Sequence, residues 1–513
     1  MRSNITKNKK AQTILYIFSI IALSSASFWR ITSFGFWKDD WFIIWSSLYS
    51  HSAYYHHPGT PLEFLALSRI FGLNPAPWML FGIILRIFVS YLVGLFIFHF
   101  TKSKLTGFLA GIFFACSYVG LETVYFPSAH VSPITAIPML LSLIYLIKTL
   151  QEKKVFMKKF LFFFCIAFIL DPPRVIPILF LLPFLYLLFV PAKEGLFAKK
   201  FLSRLYLIFA IIGTPILLVW FIAFPYHSLL DTLIQKSVSN PFFIFTKIKL
   251  IGNFSASIAN LFISTVYSLT QDEHNTGVYN KIFGSIGGGI FLIGLISFFF
   301  FIKNKSKQAG YLAFFIFWAF IFYLPNFLSE PRAPMAGAHR YLFFSNIGLV
   351  GLVSYLIAKI NKTWLIFVLS IIFITLNIYK ANTILAWQST YRSAVVVEKI
   401  WGKVNEDVPK KEVNDIFIFY GSQPWLSHVI GLAGGAFPFM LERRIYGNPD
   451  TFPIMTSAKN IILNDLCSKR PQLPISHIYA WEVKYPGLLL NKTQQYRKIY
   501  KEEAEKQGCK IIN

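Results

Sequence analysis

Apolar runs close to spanning length recur through the first 380 residues, separated by short polar connectors. That alternation predicts a bundle of membrane helices. The expected spans are 12–34, 79–100, 105–121, 131–150, 205–224, 282–302, 310–328, 341–358 and 363–380. Between 160 and 190 the run is interrupted by Asp171-Pro172-Pro173-Arg174, and proline cannot continue a helix without losing a hydrogen bond. A hairpin of two short helices keeps Lys193, Lys199, Lys200 and Arg204 on the same side as the other basic connectors, which brings the expected total to eleven spans. Residues 250–270 are apolar but carry Asn253, Ser255, Ser257, Asn260, Ser264 and Thr265, and are read as interfacial or packed on the bundle.

The pattern changes after residue 380. Residues 381–513 have ordinary soluble composition, with 17 basic and 12 acidic side chains. Ile416–Tyr420 reads as a buried strand and Gly421-Ser422 as a turn, so a small α/β domain is expected. The fold class is therefore an all-α polytopic membrane bundle (1–380) with a small C-terminal α/β domain (381–513). With the N-terminus inside, an odd number of spans leaves that domain extracytoplasmic, and 35–78 and 225–281 become long outer loops.

Composition supports this class and narrows the partners. The chain is 55% hydrophobic, with 56 Phe, and only 14% of its residues are charged, against about a quarter in soluble domains. No small-residue cleavage site follows the first apolar run, which reads as a retained span. A net charge of +26 suggests nucleic acid until its placement is considered. The connectors assigned to the cytoplasm hold 19 Lys/Arg against Glu152 and Glu194, whereas the outer connectors, counted through Lys380 at the end of the last span, hold ten Lys/Arg against nine Asp/Glu. This is positive-inside bias toward anionic headgroups, and nucleic acid is not required. Cys116 and Cys165 lie in apolar runs; Cys467 and Cys509 are able to pair if their domain is extracytoplasmic.

With this topology the outer side collects Asp39, Asp40, His56, His57, Glu122, His130, Arg174, Arg332, His339 and Arg340. A carboxylate at the lip of a partly dry cavity is suited to general-base work, since burial and a like-charged neighbour raise its pKa toward neutrality. Trp37-Lys38-Asp39-Asp40-Trp41 supplies such a pair; the same residues also fit a solvated pair beside an aromatic belt of Trp29, Trp37, Trp41 and Trp45. His56-His57-Pro58-Gly59 offers a ligand or donor, or simply a turn. A divalent metal on Asp and His is conceivable, but the spacing matches no zinc pattern and no cofactor is indicated. Arg86, inside an apolar span, requires a phosphate, a facing carboxylate or the outer headgroups as partner. Arg332 and Arg340 suit a phosphate clamp or headgroup contacts.

At these residues the chain resembles the GT-C superfamily of membrane glycosyltransferases, particularly the branch with protein O-mannosyltransferases and aminoarabinose lipid A transferases. The resembling features are Asp39-Asp40 after the first span, His57-Pro58 with Pro61-Leu62 before the second, Leu85-Arg86 with Ser90, and Arg340-Tyr341 at a late span. The resemblance implies a bundle whose first outer loop holds the catalytic aspartate, with Asp39 and Asp40 both candidates. It also implies a polyprenyl-phosphate-linked sugar as donor and transfer on the extracytoplasmic side of the cell membrane to a lipid, glycan or protein acceptor. Where that branch usually shows Asp-Glu with a nearby Tyr, this chain has Asp-Asp followed by Trp41, so the resemblance does not choose between the two aspartates. No Trp-Trp-Asp motif of oligosaccharyltransferases occurs, which argues against en bloc transfer to asparagine. The expectation is an inverting glycosyltransferase with an aspartate base, and His56, His57, Arg86, Glu122, His130, Arg174, Arg332, His339, Arg340 and Tyr341 binding substrate. The alternative is a transporter or flippase of lipid-linked sugars, for which paired broken helices and repeats are the usual sign; here only one break and no repeat are seen.

Overall fold

A computed structural model describes residues 2–36, 40, 59–72, 74–152, 156–190, 251–263, 279–329, 337–410, 415–420, 454–455, 459–467, 473–484 and 488–512, with isolated positions between 203 and 215. Asp39, His56, His57, Arg332 and most of the expected span 205–224 lie outside the described residues, as do most of the two long loops.

The bundle is built from α1 (Arg2–Phe28), α2 (Gly59–Phe71), α3 (Pro75–Thr101), α4 (Lys104–Cys116), α5 (Val131–Glu152), α6 (Met157–Leu170), α7 (Pro177–Phe189), α8 (Ile251–Ile263), α9 (Tyr279–Asn304), α10 (Lys307–Ser329), α11 (Phe343–Ala358) and α12 (Thr363–Arg392). Among the described residues, eight helices are long and apolar enough to cross a membrane. The expected count of eleven is thus not reached there. The apolar run 105–121 yields only the 13-residue α4, about 20 Å long at 1.5 Å per residue.

Local signals explain the junctions. Asn74 caps α3 by accepting the Ala76 N–H at 3.1 Å, with Pro75 at the first helical position. Ser103 accepts the Thr106 N–H at 3.2 Å to start α4 directly after α3 ends. Tyr16 of α1 reaches between these two helices: a Cβ at Gly94 or Gly111 would lie 1.8 or 1.9 Å from its hydroxyl oxygen, so only glycine admits the ring. The shared core continues through Phe96, Phe100, Phe314 and Trp318, whose indole N–H reaches the Phe344 carbonyl at 2.9 Å.

The break at Asp171-Pro172 is a hairpin. Arg174 meets Ser132 at the start of α5, whereas Phe189, at the end of α7, packs edge-on against Phe100 at the far end of α3. The two arms therefore run in opposite directions. The described part of α8 packs on the bundle: Tyr323 bonds Ser257 at 3.1 Å and stacks on Phe254.

Helix α12 continues past residue 380 without interruption to Arg392. At 1.5 Å per residue its 30 residues span about 45 Å, more than the hydrocarbon core needs. No proline or glycine falls inside it, so falling hydropathy near 380 did not end the helix. Beyond it, α13 (Ala394–Asp407) leads into a four-stranded sheet of order β2-β1-β3-β4, with β1 Ile416–Tyr420, β2 Ile454–Met455, β3 Ile478–Lys484 and β4 Leu488–Asn491. Strand β1 is parallel to β2 and β3, and β4 is antiparallel to β3. Both faces of β1 are covered. Ile416 and Ile418 share a core with Ile462, Leu466, Tyr500 and Ala504 of α14 (Lys459–Cys467) and α15 (Thr493–Lys506), while Phe417 and Phe419 share one with Trp481 and the α13 residues Ile400 and Val404. Two-sided burial is why this strand is uniformly apolar. Cys467 and Cys509 form a disulfide.

Candidate functional site

The site is organised by the segment Ser117–His130, which joins α4 to α5. Its base is held by Arg86. That side chain is 1% exposed and donates to three carbonyls at the frayed end of α4: Phe114 (3.1 Å), Ser117 (2.6 Å) and Val119 (3.4 Å). A helix C-terminus leaves carbonyls without intrahelical donors and carries partial negative charge, so a guanidinium from the neighbouring helix satisfies both. The Phe114 ring lies 4.2 Å from the guanidinium carbon. The expected phosphate, carboxylate or headgroup partner is replaced by backbone, and the shortness of α4 is the reason.

Above that base, three hydrogen bonds clamp the segment to the residues preceding α11. The Gly120 and Glu122 N–H groups reach the carbonyls of Gly337 (2.9 Å) and Ala338 (3.0 Å). In return the Arg340 N–H reaches the Glu122 carboxylate at 3.1 Å. His339 Nδ1 lies 3.9 Å from the same carboxylate and 3.3 Å from the Tyr341 backbone nitrogen. Glu122 is partly withdrawn from water. Burial pushes its carboxyl up, but His339, Arg340 with its N–H, and Arg392 outweigh burial and hold it below the usual carboxylate range.

Asp40 joins the same segment from the other side. It is fully buried, and its Oδ1 accepts the Ser128 N–H at 2.9 Å. Between Glu122 and Ser128 lie Tyr125 and Phe126, which receive the guanidinium groups. Arg340 sits 5.1 Å from the Phe126 centroid, and Arg392 sits 5.6 Å from it and 5.0 Å from that of Tyr125. His130 is buried, with Nε2 3.5 Å from the Val124 carbonyl and its ring edge-on to Phe81. Gly82 permits this approach of α3: a Cβ there would fall 2.0 Å from the Val124 carbonyl oxygen and 2.8 Å from His130 Nε2. Two residues into α5, Ser132 accepts from Arg174 Nη1 at 2.6 Å, and the same nitrogen lies 3.0 Å from the buried Asp171 carboxylate.

The structure thus gathers Asp40, Glu122, His339, Arg340 and Tyr341 on one connector, sets Arg86 and His130 as its supports, and ties Arg174 to Asp171 at the start of α5. Among the described residues, no three His, Cys, Asp or Glu side chains cluster as a metal would need. Arg392 is the member that the sequence reading assigned to the soluble domain. The absence of any helix breaker between 363 and 392 was the signal available.

No protein-family model matches the chain, and no curated protein matches it. Among solved structures it is similar to the archaeal oligosaccharyltransferase AglB from Archaeoglobus fulgidus in complex with an inhibitory peptide and a dolichol-phosphate: TM-score 0.42 and 13% identity over 93% of this chain and 70% of that one. A second Archaeoglobus fulgidus oligosaccharyltransferase structure, tethered to an acceptor peptide, is similar at TM-score 0.42 and 12% identity, over 83% of this chain and 63% of that one. This chain spans about two-thirds of the length of each.

Proposed function

We propose that this protein is an integral membrane glycosyltransferase that moves a sugar from a polyprenyl-phosphate donor to an acceptor hydroxyl. The observation that carries the reading is the burial of Asp40 against the connector that carries Glu122 and receives Arg340. In the proposed step Asp40 takes the acceptor hydroxyl proton while the oxygen attacks the anomeric carbon. The bond from that carbon to the phosphate oxygen breaks on the opposite face, inverting the configuration. Negative charge then collects on the departing lipid phosphate, where the Arg340 guanidinium meets it. Asp39 and Arg332 remain candidates for the same two roles.

The side of the membrane is argued from charge and redox chemistry. Lys102, Lys104, Lys158, Lys159, Lys303, Lys305, Lys307, Lys359 and Lys362 stand at the bundle end opposite the site, as positive-inside placement would have them. The Cys467–Cys509 disulfide, in the domain that follows α12 at the site end, fits an oxidising compartment. The reading therefore places the site extracytoplasmically, with the C-terminal domain toward the acceptor.

The test is transfer of labelled sugar from synthetic polyprenyl-phosphate donors by purified protein in proteoliposomes. Product that forms with wild type and is lost in Asp40→Asn supports the reading; undiminished transfer by the Asp39→Asn, Asp40→Asn double variant ends the mechanism. Movement of intact donor across the bilayer without cleavage would instead identify a flippase.

A further inference from the structure

Between the end of α4 and the clamp on the residues before α11, the chain leaves its helix for Ser117–Val119 while still buried in the bundle. Unwound backbone in such a place is tolerable only if every peptide group finds a partner. Here every one does. The Ser117 N–H reaches the Phe114 carbonyl at 3.3 Å, the Tyr118 carbonyl accepts the Leu121 N–H at 3.0 Å, and the Ser117 carbonyl accepts from Arg86. The rest are met by two asparagines from late helices, together with the Ser117 hydroxyl. Asn377 of α12 accepts the Tyr118 N–H on Oδ1 at 3.4 Å and donates from Nδ2 to the Phe373 carbonyl at 2.9 Å. Asn346 of α11 donates to the Val119 carbonyl at 3.5 Å and accepts from the Ser117 hydroxyl at 3.3 Å; that hydroxyl in turn accepts the Val119 N–H at 3.2 Å. Both asparagines are buried in apolar stretches of their helices, where an amide is costly unless it is bonded.

We propose that Asn346 and Asn377 are positioning residues of the candidate site. They fix the register of Ser117–Val119, and through it the connector that brings Glu122 to Arg340 and Ser128 to Asp40. The inference rests on the transferase reading for its catalytic consequence alone. A guanidinium can only donate, so Arg86 reads carbonyls and leaves the N–H groups of the segment unspecified. Asn377 reads an N–H: sliding the segment until a carbonyl faced Oδ1 would set acceptor against acceptor. Beyond Val119 there is no slack to absorb a shift. Gly120 turns the chain with φ 70°, and a Cβ there would lie 2.8 Å from the Phe343 Cα, while its N–H is already held by Gly337.

The test uses full-length wild type, Asn377→Leu, Asn346→Leu and Asn377→Asp in nanodiscs, read by hydrogen exchange and by sugar transfer. Leucine keeps the size of the side chain and removes its bonds. Exchange in the folded leucine variants should rise about tenfold across 117–130, including the Ser128 N–H that holds Asp40, with peptides from α3 and α5 unchanged. A rise confined to 117–119, or no rise, would make the asparagines local backbone partners and overturn the proposal. In transfer, kcat per folded molecule should fall about ten- to hundredfold with KM within about twofold of wild type; an unchanged kcat also overturns it. Asn377→Asp separates positioning from packing. As a neutral acid it offers Tyr118 the same acceptor and Phe373 a hydroxyl donor, whereas ionised it sets a second acceptor against the Phe373 carbonyl. Its kcat, taken as a ratio to wild type at the same pH, should approach wild type near about pH 5 and fall toward the leucine value as pH rises. A ratio that stays at the leucine value throughout overturns the proposal. Should the leucine variants fail to fold, exchange of Asn377→Asp at the two ends of that pH range reads the same coupling. Wild type that transfers no sugar sinks the transferase reading, and the exchange series still decides the role of the two asparagines.

Discussion

The two ends of the bundle handle charge in opposite ways. At the site end Asp40, Asp171, Arg86 and Arg174 are buried and bonded to specific partners, and the buried Arg392 guanidinium lies over Tyr125 and Phe126. At the other end Lys102, Lys104, Lys305, Lys359 and Lys362 are exposed. Two of these lysines, Lys102 (φ 58°) and Lys305 (φ 54°), even occupy left-handed helix-end positions where glycine is more comfortable. A buried charge is tolerable only with a well-placed partner, so each member of the site end constrains its neighbours. An exposed lysine needs only water or headgroups, so its charge matters and its exact position does not. The contrast separates a region built for geometry from a region built for net charge.

That contrast can be broken experimentally. Asp40→Asn keeps the shape of the buried side chain and removes its basicity; transfer should fall about 10²–10⁴-fold in the proteoliposome assay, and a smaller loss would move the base elsewhere. Arg174→Met leaves Asp171 buried beside Ser132 without its cation, and should lower unfolding stability by about 3–5 kcal/mol. Adding Asp171→Leu should recover most of that loss, because the penalty lies in a buried carboxylate that has lost its Arg174 partner. Gly82→Ala forces α3 away from the Val124 carbonyl and His130, for a loss of about 1–3 kcal/mol accompanied by reduced transfer. At the lysine end the expected effects are smallest and in one case opposite in sign. Lys104→Gln should shift stability by less than about 0.5 kcal/mol. Lys102→Gly or Lys305→Gly should stabilise by about 1 kcal/mol by relieving the left-handed backbone, while weakening the orientation bias read by reporter tags.

Much of the architecture was legible before any coordinates. Long apolar runs gave the spanning helices, the prolines after Asp171 gave the hairpin, and Ile416–Tyr420 gave a strand of the small domain. Of the candidate site, the sequence puts Asp40, Glu122, His339 and Arg340 beside spans that end on one side, and the structure shows Asp40 against Ser128 and Glu122 against His339 and Arg340. For Arg86 the sequence points to a phosphate, a carboxylate or headgroups, and the structure shows it bonded to backbone carbonyls. Hydropathy marks 105–121 as one apolar run and cannot show that its helix stops at Cys116, leaving carbonyls for a guanidinium to satisfy. Arg392 was missed for the converse reason: hydropathy falls near 380 although the helix does not end there.

Taken by itself, the amino-acid order determined the spanning class, the segregation of basic connectors from acidic ones, and the set of polar groups available at one end. Those properties follow from the transfer of side chains between water and hydrocarbon, which is local and additive along the chain. Tertiary structure alone decided which groups are partners: that Arg86 serves backbone, that Ser128 holds Asp40, and that Arg392 reaches the Glu122 connector. Pairing depends on directions and distances of a few ångströms between residues far apart in sequence, and periodicity carries no record of those.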